Sequence, residues 1–306
     1  MAIKLKMNKK KGMIMLKKSQ LIYLTTLWLL TVLLFDNHIL ANPMVDAENT
    51  YNDSRCNFDY SVLNEIRAVS CSYHSLYIEA NAGIKREVKY QLPVGEPPAQ
   101  GWPVVIIYQG SFFPVEFRRH KTDPFGGFYE AMLIKQLLDA GFAVIAPRAA
   151  INLAWQTNLL ASATPYRLTT DYQFIGRVLE GIKQGLFGPL DDQRKFATGI
   201  SSGGYNTSRM AVSFPGEFRA LAIQSASYAT CLGPVCHVPL DLPIDHPPTL
   251  FLHGLLDVTV PAWTMKRYYR RLINQGIEVE QWTNLTKGHS WFEESPSKIV
   301  AWFNKY

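Results

Sequence analysis

Gly199-Ile200-Ser201-Ser202-Gly203-Gly204 is the stretch that decides how this chain is read. It follows a short strand-like run at 195–198 and opens into 205–214, a helical pattern closed by Pro215-Gly216. A serine between strand and helix, with glycine two residues away on either side, has the form of a nucleophile elbow. The turn is tight enough to strain the serine backbone, and Gly199 and Gly203 put no Cβ between the strand and the helix as they meet. That geometry lifts the Ser201 hydroxyl clear of the sheet. Ser202 does not fit the frame, because Ile200 stands where it would need glycine.

Outward from the elbow, strand and helix patterns alternate. Val104-Val105-Ile106-Ile107-Tyr108 is a continuous apolar run suited to a strand buried on both faces. A helix pattern follows at 129–138, a strand at 142–146 stopped by Pro147, and a helix at 170–183. Beyond the elbow come strands at 219–224 and 249–252, a helix at 263–273, a strand at 278–283 and a helix at 297–305. Upstream, 75–79 and 85–91 read as an antiparallel pair joined by Asn81-Ala82-Gly83. The alternation predicts a mainly parallel sheet with helices on both faces, and with the elbow it predicts the α/β-hydrolase fold. No repeat and no linker interrupts 42–306, which is expected to form a single catalytic domain.

In that fold the acid and the histidine follow the serine in the order Ser, Asp or Glu, His. The buried run Leu250-Phe251-Leu252 leads into His253-Gly254, and Asp257 follows just past the strand's carboxyl end, where α/β sheets keep their chemistry. Asp241 and Asp245 compete for the role but lie in the proline-rich loop ahead of that strand. His289 comes after the last strand, with Gly288 beside it to let the loop turn inward, whereas His74 and His120 precede the serine and His237 and His246 precede the acid. His253 reads as a supporting residue. Ser201 is thus the expected nucleophile, His289 its base and Asp257 the residue that fixes the imidazole. Oxyanion donors are expected from the backbone N–H of Ser202 and, in the loop Gln109-Gly110-Ser111, from that of Ser111.

The amino terminus is a different kind of sequence. Lysines run from 4 to 18, an apolar segment spans 21–35, and the chain reaches Ala41 through a short polar stretch, which is the pattern of a secretory signal peptide at 1–41. Its fifteen apolar residues fall short of the ~20 needed to span a bilayer, so no stable membrane anchor is expected once the leader is removed. Residues 1–41 hold seven lysines and one acid, which accounts for the whole formal net charge of +6. The remaining 265 residues are formally near neutral, which argues against a nucleic-acid partner. Four cysteines, at 56, 71, 231 and 236, suit two disulfides in an exported protein. Three pairings are possible, and proximity favours Cys56 with Cys71 and Cys231 with Cys236. Cys231 and Cys236 with His237 lack a second pair of ligands for zinc, and neither metal nor cofactor is expected.

From Gly199 to Cys231, through Gly-Ile-Ser-Ser-Gly-Gly-Tyr-Asn-Thr-Ser-Arg-Met-Ala-Val and Ser-Tyr-Ala-Thr-Cys, the chain resembles the extracellular depolymerases of medium-chain-length polyhydroxyalkanoates. The likeness extends to the Asp257 and His289 segments. It implies secretion, outside the cell or into a periplasm, and a triad of Ser201, Asp257 and His289. It also implies cleavage of an insoluble, hydrophobic polyester into 3-hydroxy acids or short oligomers. The separate polymer-binding domain typical of short-chain depolymerases has no counterpart here. Polymer contact is therefore expected from aromatic residues near the site: Phe112, Phe113 and Phe117, Trp155 and Trp291. An esterase or lipase acting on another lipid or plant-wall ester, and a non-catalytic binding protein of the same fold, are the competing readings.

Overall fold

The computed structural model describes residues 54–157 and 165–306; the expected leader at 1–41 lies outside them. In chain order the elements are β1 (Cys56–Tyr60), β2 (Ile66–Cys71), β3 (His74–Asn81), β4 (Ile84–Gln91), β5 (Trp102–Tyr108), β6 (Arg118–His120), α1 (Gly127–Asp139) and β7 (Ala143–Pro147). They continue with α2 (Thr170–Lys183), β8 (Leu190–Ile200), α3 (Ser202–Ser213), β9 (Ala220–Gln224), β10 (Thr249–Gly254), α4 (Ala262–Asn274), β11 (Val279–Asn284) and α5 (Ser295–Phe303). Eight strands form one sheet in the order β11-β10-β9-β8-β5-β7-β4-β3. The pairs from β11 to β7 are parallel, and β4 and β3 add antiparallel to the β7 edge.

The continuous apolar run of β5 explains why both faces of the sheet are covered. Successive side chains point to opposite faces. Val105 and Ile107 join one core with Leu133 and Leu137 of α1 and Ile299, Trp302 and Phe303 of α5. Val104, Ile106 and Tyr108 join the other, with residues of α2 and Met210 of α3. A third cluster lies under α4, where Met265, Tyr268 and Leu272 meet Phe251 and Ile223. In α2, Phe174, Ile175, Val178, Leu179 and Ile182 make the buried stripe, and Thr169 caps the first turn by accepting the Tyr172 N–H at 3.2 Å.

Local pattern and tertiary pairing part company in three places. A small antiparallel sheet, β1-β2-β6, is invisible in the hydrophobic pattern, because its strands are short and β6 is Arg-Arg-His. Cys56 and Cys71 are register partners across β1 and β2 and are joined by a disulfide; Cys231 and Cys236 form the second. β8 begins at Leu190, well before the expected 195, since Leu190 pairs with Trp102 of β5 across an irregularity in register that spans the polar residues 191–194. α3 begins at Ser202 rather than 205, because packing overrides the poor helix propensity of Gly203-Gly204. Among the described residues no helix is long and apolar enough to cross a membrane.

Candidate active site

The parallel strands end on one side of the sheet, and the elbow stands in the middle of that edge. Ser201 has φ 56° and ψ −120°, a conformation that costs non-glycine residues ~1–3 kcal/mol. It is held there from both directions: its N–H donates to Gln224 O at 3.1 Å, and its own carbonyl accepts the Tyr205 N–H at 2.9 Å. Glycine at 203 is a requirement of close approach, because a Cβ there would lie 2.0 Å from Tyr108 O. The Ser202 N–H belongs to the first turn of α3, where helix N–H groups lack intrahelical partners and the helix dipole is positive. Ser111 lines the same cleft as Ser201. A Cβ placed on its neighbour Gly110 would come within 3.9 Å of Ser201 Cβ, so this loop runs directly beside the serine.

Asp257 is buried in the loop after β10, and each of its oxygens is committed. Oδ1 accepts the N–H groups of Thr259 at 3.0 Å and Val260 at 2.8 Å. Oδ2 accepts from His289 Nδ1 at 2.8 Å, which leaves the other ring nitrogen for the cleft that His289 shares with Ser201. His253, fully buried, donates from Nε2 to Val260 O at 2.8 Å and lies 3.5 Å from Asp257 Oδ2. Burial holds its imidazole below the usual histidine range, so it braces the acid loop as a neutral ring. Asp241 and Asp245 stay exposed on the loop ahead of β10, and His74, His120 and His237 are exposed as well, while His246 is buried against Tyr268.

Gln224, at the end of β9, was not singled out by sequence reasoning, although a polar residue closing an otherwise apolar strand was a signal. Its carbonyl accepts the Ser201 N–H, its Nε2 donates to Ser290 O at 2.7 Å, and its Oε1 accepts from Ser295 Oγ at 2.9 Å. One fully buried residue therefore brackets the elbow, through its backbone carbonyl, and the histidine loop, through its side chain. Gly254 performs a similar service between β10 and that loop: a Cβ there would lie 2.3 Å from Lys287 O.

Ser201 and His289 open into a cleft of about 340 Å³ with aromatic walls. Phe112, 67% exposed, and Phe113 line it. Phe125 joins them, its ring centroid 5.1 Å from that of Phe113 and 6.2 Å from that of His289. Trp155 and Phe117 are corrections. Trp155 is fully buried behind the elbow, its Nε1 donating to Gln109 O and its backbone N–H to Ser202 Oγ, so it packs scaffold and offers no ring to a ligand. Phe117 is likewise core. Trp291 is almost wholly buried but forms part of the cleft wall, and its indole N–H donates to Glu130 at 3.2 Å.

Comparison with known proteins gives this geometry a family. The chain is 58% identical over 254 residues to the poly(3-hydroxyoctanoate) depolymerase of Pseudomonas fluorescens, which covers 83% of this chain and 91% of that protein. The chain belongs to that depolymerase family. The prolyl oligopeptidase family model matches residues 236–306, the part that carries Asp257 and His289. Among solved structures, a putative dienelactone hydrolase from Klebsiella pneumoniae is similar at a TM-score of 0.53 with 19% identity, covering 77% of this chain and all of that one. An S-formylglutathione hydrolase from Staphylococcus aureus is similar at 0.55 with 15% identity, covering 76% of this chain and 96% of that one. The depolymerase family member described here is an α/β-hydrolase and a carboxylic ester hydrolase.

Proposed function

We propose that this depolymerase is a secreted serine esterase that hydrolyses medium-chain-length polyhydroxyalkanoate to 3-hydroxy acids or short oligomers through an acyl-enzyme. The observation that carries the reading is Ser201 on a strained elbow, facing with His289 into one aromatic cleft, with His289 Nδ1 held by Asp257 at 2.8 Å. The relative named for poly(3-hydroxyoctanoate) supports the substrate class.

The steps follow from where charge moves. Ser201 Oγ attacks an ester carbonyl as His289 Nε2 takes its proton, and Asp257 stabilises the imidazolium that forms. The tetrahedral oxyanion receives the N–H groups of Ser202 and Ser111, each such donor contributing about 3 kcal/mol to the transition state. Collapse breaks the ester C–O bond, and His289 returns the proton to the departing alcohol. Water then attacks the acyl-Ser201 ester with His289 again as base, releasing the acid. Phe112, Phe113 and Phe125 supply the apolar contact that an insoluble aliphatic polyester requires. Two disulfides suit an oxidising compartment and support secretion.

The test sets clearing of a medium-chain polyester latex against polyhydroxybutyrate and tributyrin, with organophosphonate labelling of Ser201 as the check on the nucleophile. Clearing of the medium-chain latex is expected. Activity on tributyrin alone would defeat the substrate assignment, and a folded enzyme that takes no label would defeat the mechanism.

A further inference from the structure

The cleft contains two charged side chains that the reaction steps leave unused. Glu130 of α1 and Arg119 of β6 both line it, among the aromatic rings and Ile200. Glu130 is 3% exposed. Its Oε1 accepts the Trp291 indole N–H at 3.2 Å and the carboxylate also receives the Glu116 backbone N–H, whereas Oε2 has Arg119 Nη2 at 3.8 Å, beyond hydrogen-bond distance. Nη2 spends one hydrogen on Pro114 O at 2.7 Å and keeps the other, and Nη1 lies 3.8 Å from Asp123 Oδ2. An acceptor and a donor so placed are too far apart to satisfy each other. They are close enough for one hydroxyl oxygen to reach both at ordinary hydrogen-bond lengths.

We propose that Glu130 and Arg119 form a subsite for the free hydroxyl at the end of a polyester chain, so that the enzyme works preferentially on hydroxyl-terminated ends. The proposal rests on the polyester reading above. The chemistry of the polymer selects the ligand. Every oxygen of an interior repeat unit is an ester oxygen, an acceptor only, and an ionised carboxylate finds no donor there. Donors occur only at chain ends. The carboxyl end is itself an anion at neutral pH and is repelled by Glu130, which leaves the hydroxyl end: its O–H donates to Glu130 Oε2 and its oxygen accepts from Arg119 Nη2. Burial outweighs the pull of Arg119, the Trp291 bond and the Glu116 backbone N–H and pushes the Glu130 carboxyl up to about 7. The ionised acceptor that selects a hydroxyl therefore prevails above that pH, and the substrate comparison below is made at pH 8. Such a carboxyl beside a nucleophile has the profile of a functional group.

The competing role is structural, with Glu130 merely tying α1 to the segment after His289 through Trp291. A substrate pair separates the two. The probes are the methyl ester of a 3-hydroxyoctanoate trimer with its hydroxyl free and the same trimer with that hydroxyl acetylated. The wild-type enzyme is expected to favour the free trimer in kcat/KM by about tenfold, the scale of one hydrogen bond to a charged group. In Glu130→Gln that preference is expected to collapse towards one. Equal turnover of the two trimers by wild type would overturn the subsite, and this comparison holds whether or not the variant folds. A Glu130→Gln enzyme that is slower on both but keeps the preference would overturn it too, in favour of the structural role. If a folded, unlabelled enzyme hydrolyses neither trimer while a separate portion of it takes the phosphonate at Ser201, the polyester reading itself falls and takes the subsite with it.

Discussion

The two walls of the cleft are built differently. On the side of β10 and the histidine loop, Asp257 receives two backbone N–H groups and His289, while the loop itself is pinned by Leu256 N–H to Lys287 O and by Gln224 to Ser290 O. On the side of α1 and β6, Glu130 has the Trp291 indole N–H and the Glu116 backbone N–H, with a guanidinium just out of reach. A wall satisfied before substrate arrives needs no rearrangement as charge develops, which is what a reacting centre requires. A wall with capacity to spare is what a ligand-reading surface requires. The difference lies in how the partners are placed: the N–H groups of one turn and His289 within hydrogen-bond distance on one side, a guanidinium held off at 3.8 Å on the other.

The contrast can be broken by experiment, beginning with its strongest claim. Ser201→Ala is expected to lower kcat by roughly 10⁶-fold and to abolish phosphonate labelling, with an unchanged circular-dichroism melt. Asp257→Asn is expected to cost roughly 10⁴-fold in kcat, because the amide no longer holds the correct imidazole tautomer; retention of wild-type kcat would remove Asp257 from the mechanism. Gln224→Ala takes one partner from Ser290 O, which keeps Ser225 Oγ at 3.3 Å, and one from Ser295 Oγ, which keeps the Phe292 N–H at 3.0 Å. The expected outcome is a loss of about 1–3 kcal/mol in urea unfolding, together with a fall in kcat that exceeds any rise in KM. A change confined to KM would show that the bracket does not position the reacting groups.

The looser wall makes its own prediction about pH. The Glu130 carboxyl is raised in the folded chain from 4.5 to about 7 by burial, so the stability linked to it is fully present below about 4.5 and is lost as pH rises through about 7. Urea unfolding at pH 5 and pH 8 is expected to differ less for Glu130→Gln than for wild type, by at most about 3 kcal/mol. Identical slopes would mean that the carboxyl is better solvated than its burial indicates. The smallest effect is expected at the rim, where Phe112→Ala should weaken adsorption to polymer latex by about threefold, as measured by depletion from solution.

Much of the fold and site was legible because it rests on local demands. A glycine two places either side of Ser201, an apolar run at 104–108 and the stop at Pro215-Gly216 act over a few residues, and each marks its own element. Chain order then linked Ser201 to Asp257 and His289, and the structure brings Ser201 and His289 to one cleft with Asp257 hydrogen-bonded behind the histidine. Other features depend on approaches between distant segments. The β1-β2-β6 sheet arises from pairing of short strands with no pattern of their own, and Trp155 is buried because the chain after β7 folds back behind the elbow. Gln224 became a bracket, and Glu130 a cleft residue, only through partners 66 and 161 positions away. Periodicity and turn chemistry are written along the chain, whereas the partner of a buried polar group is chosen by packing across it.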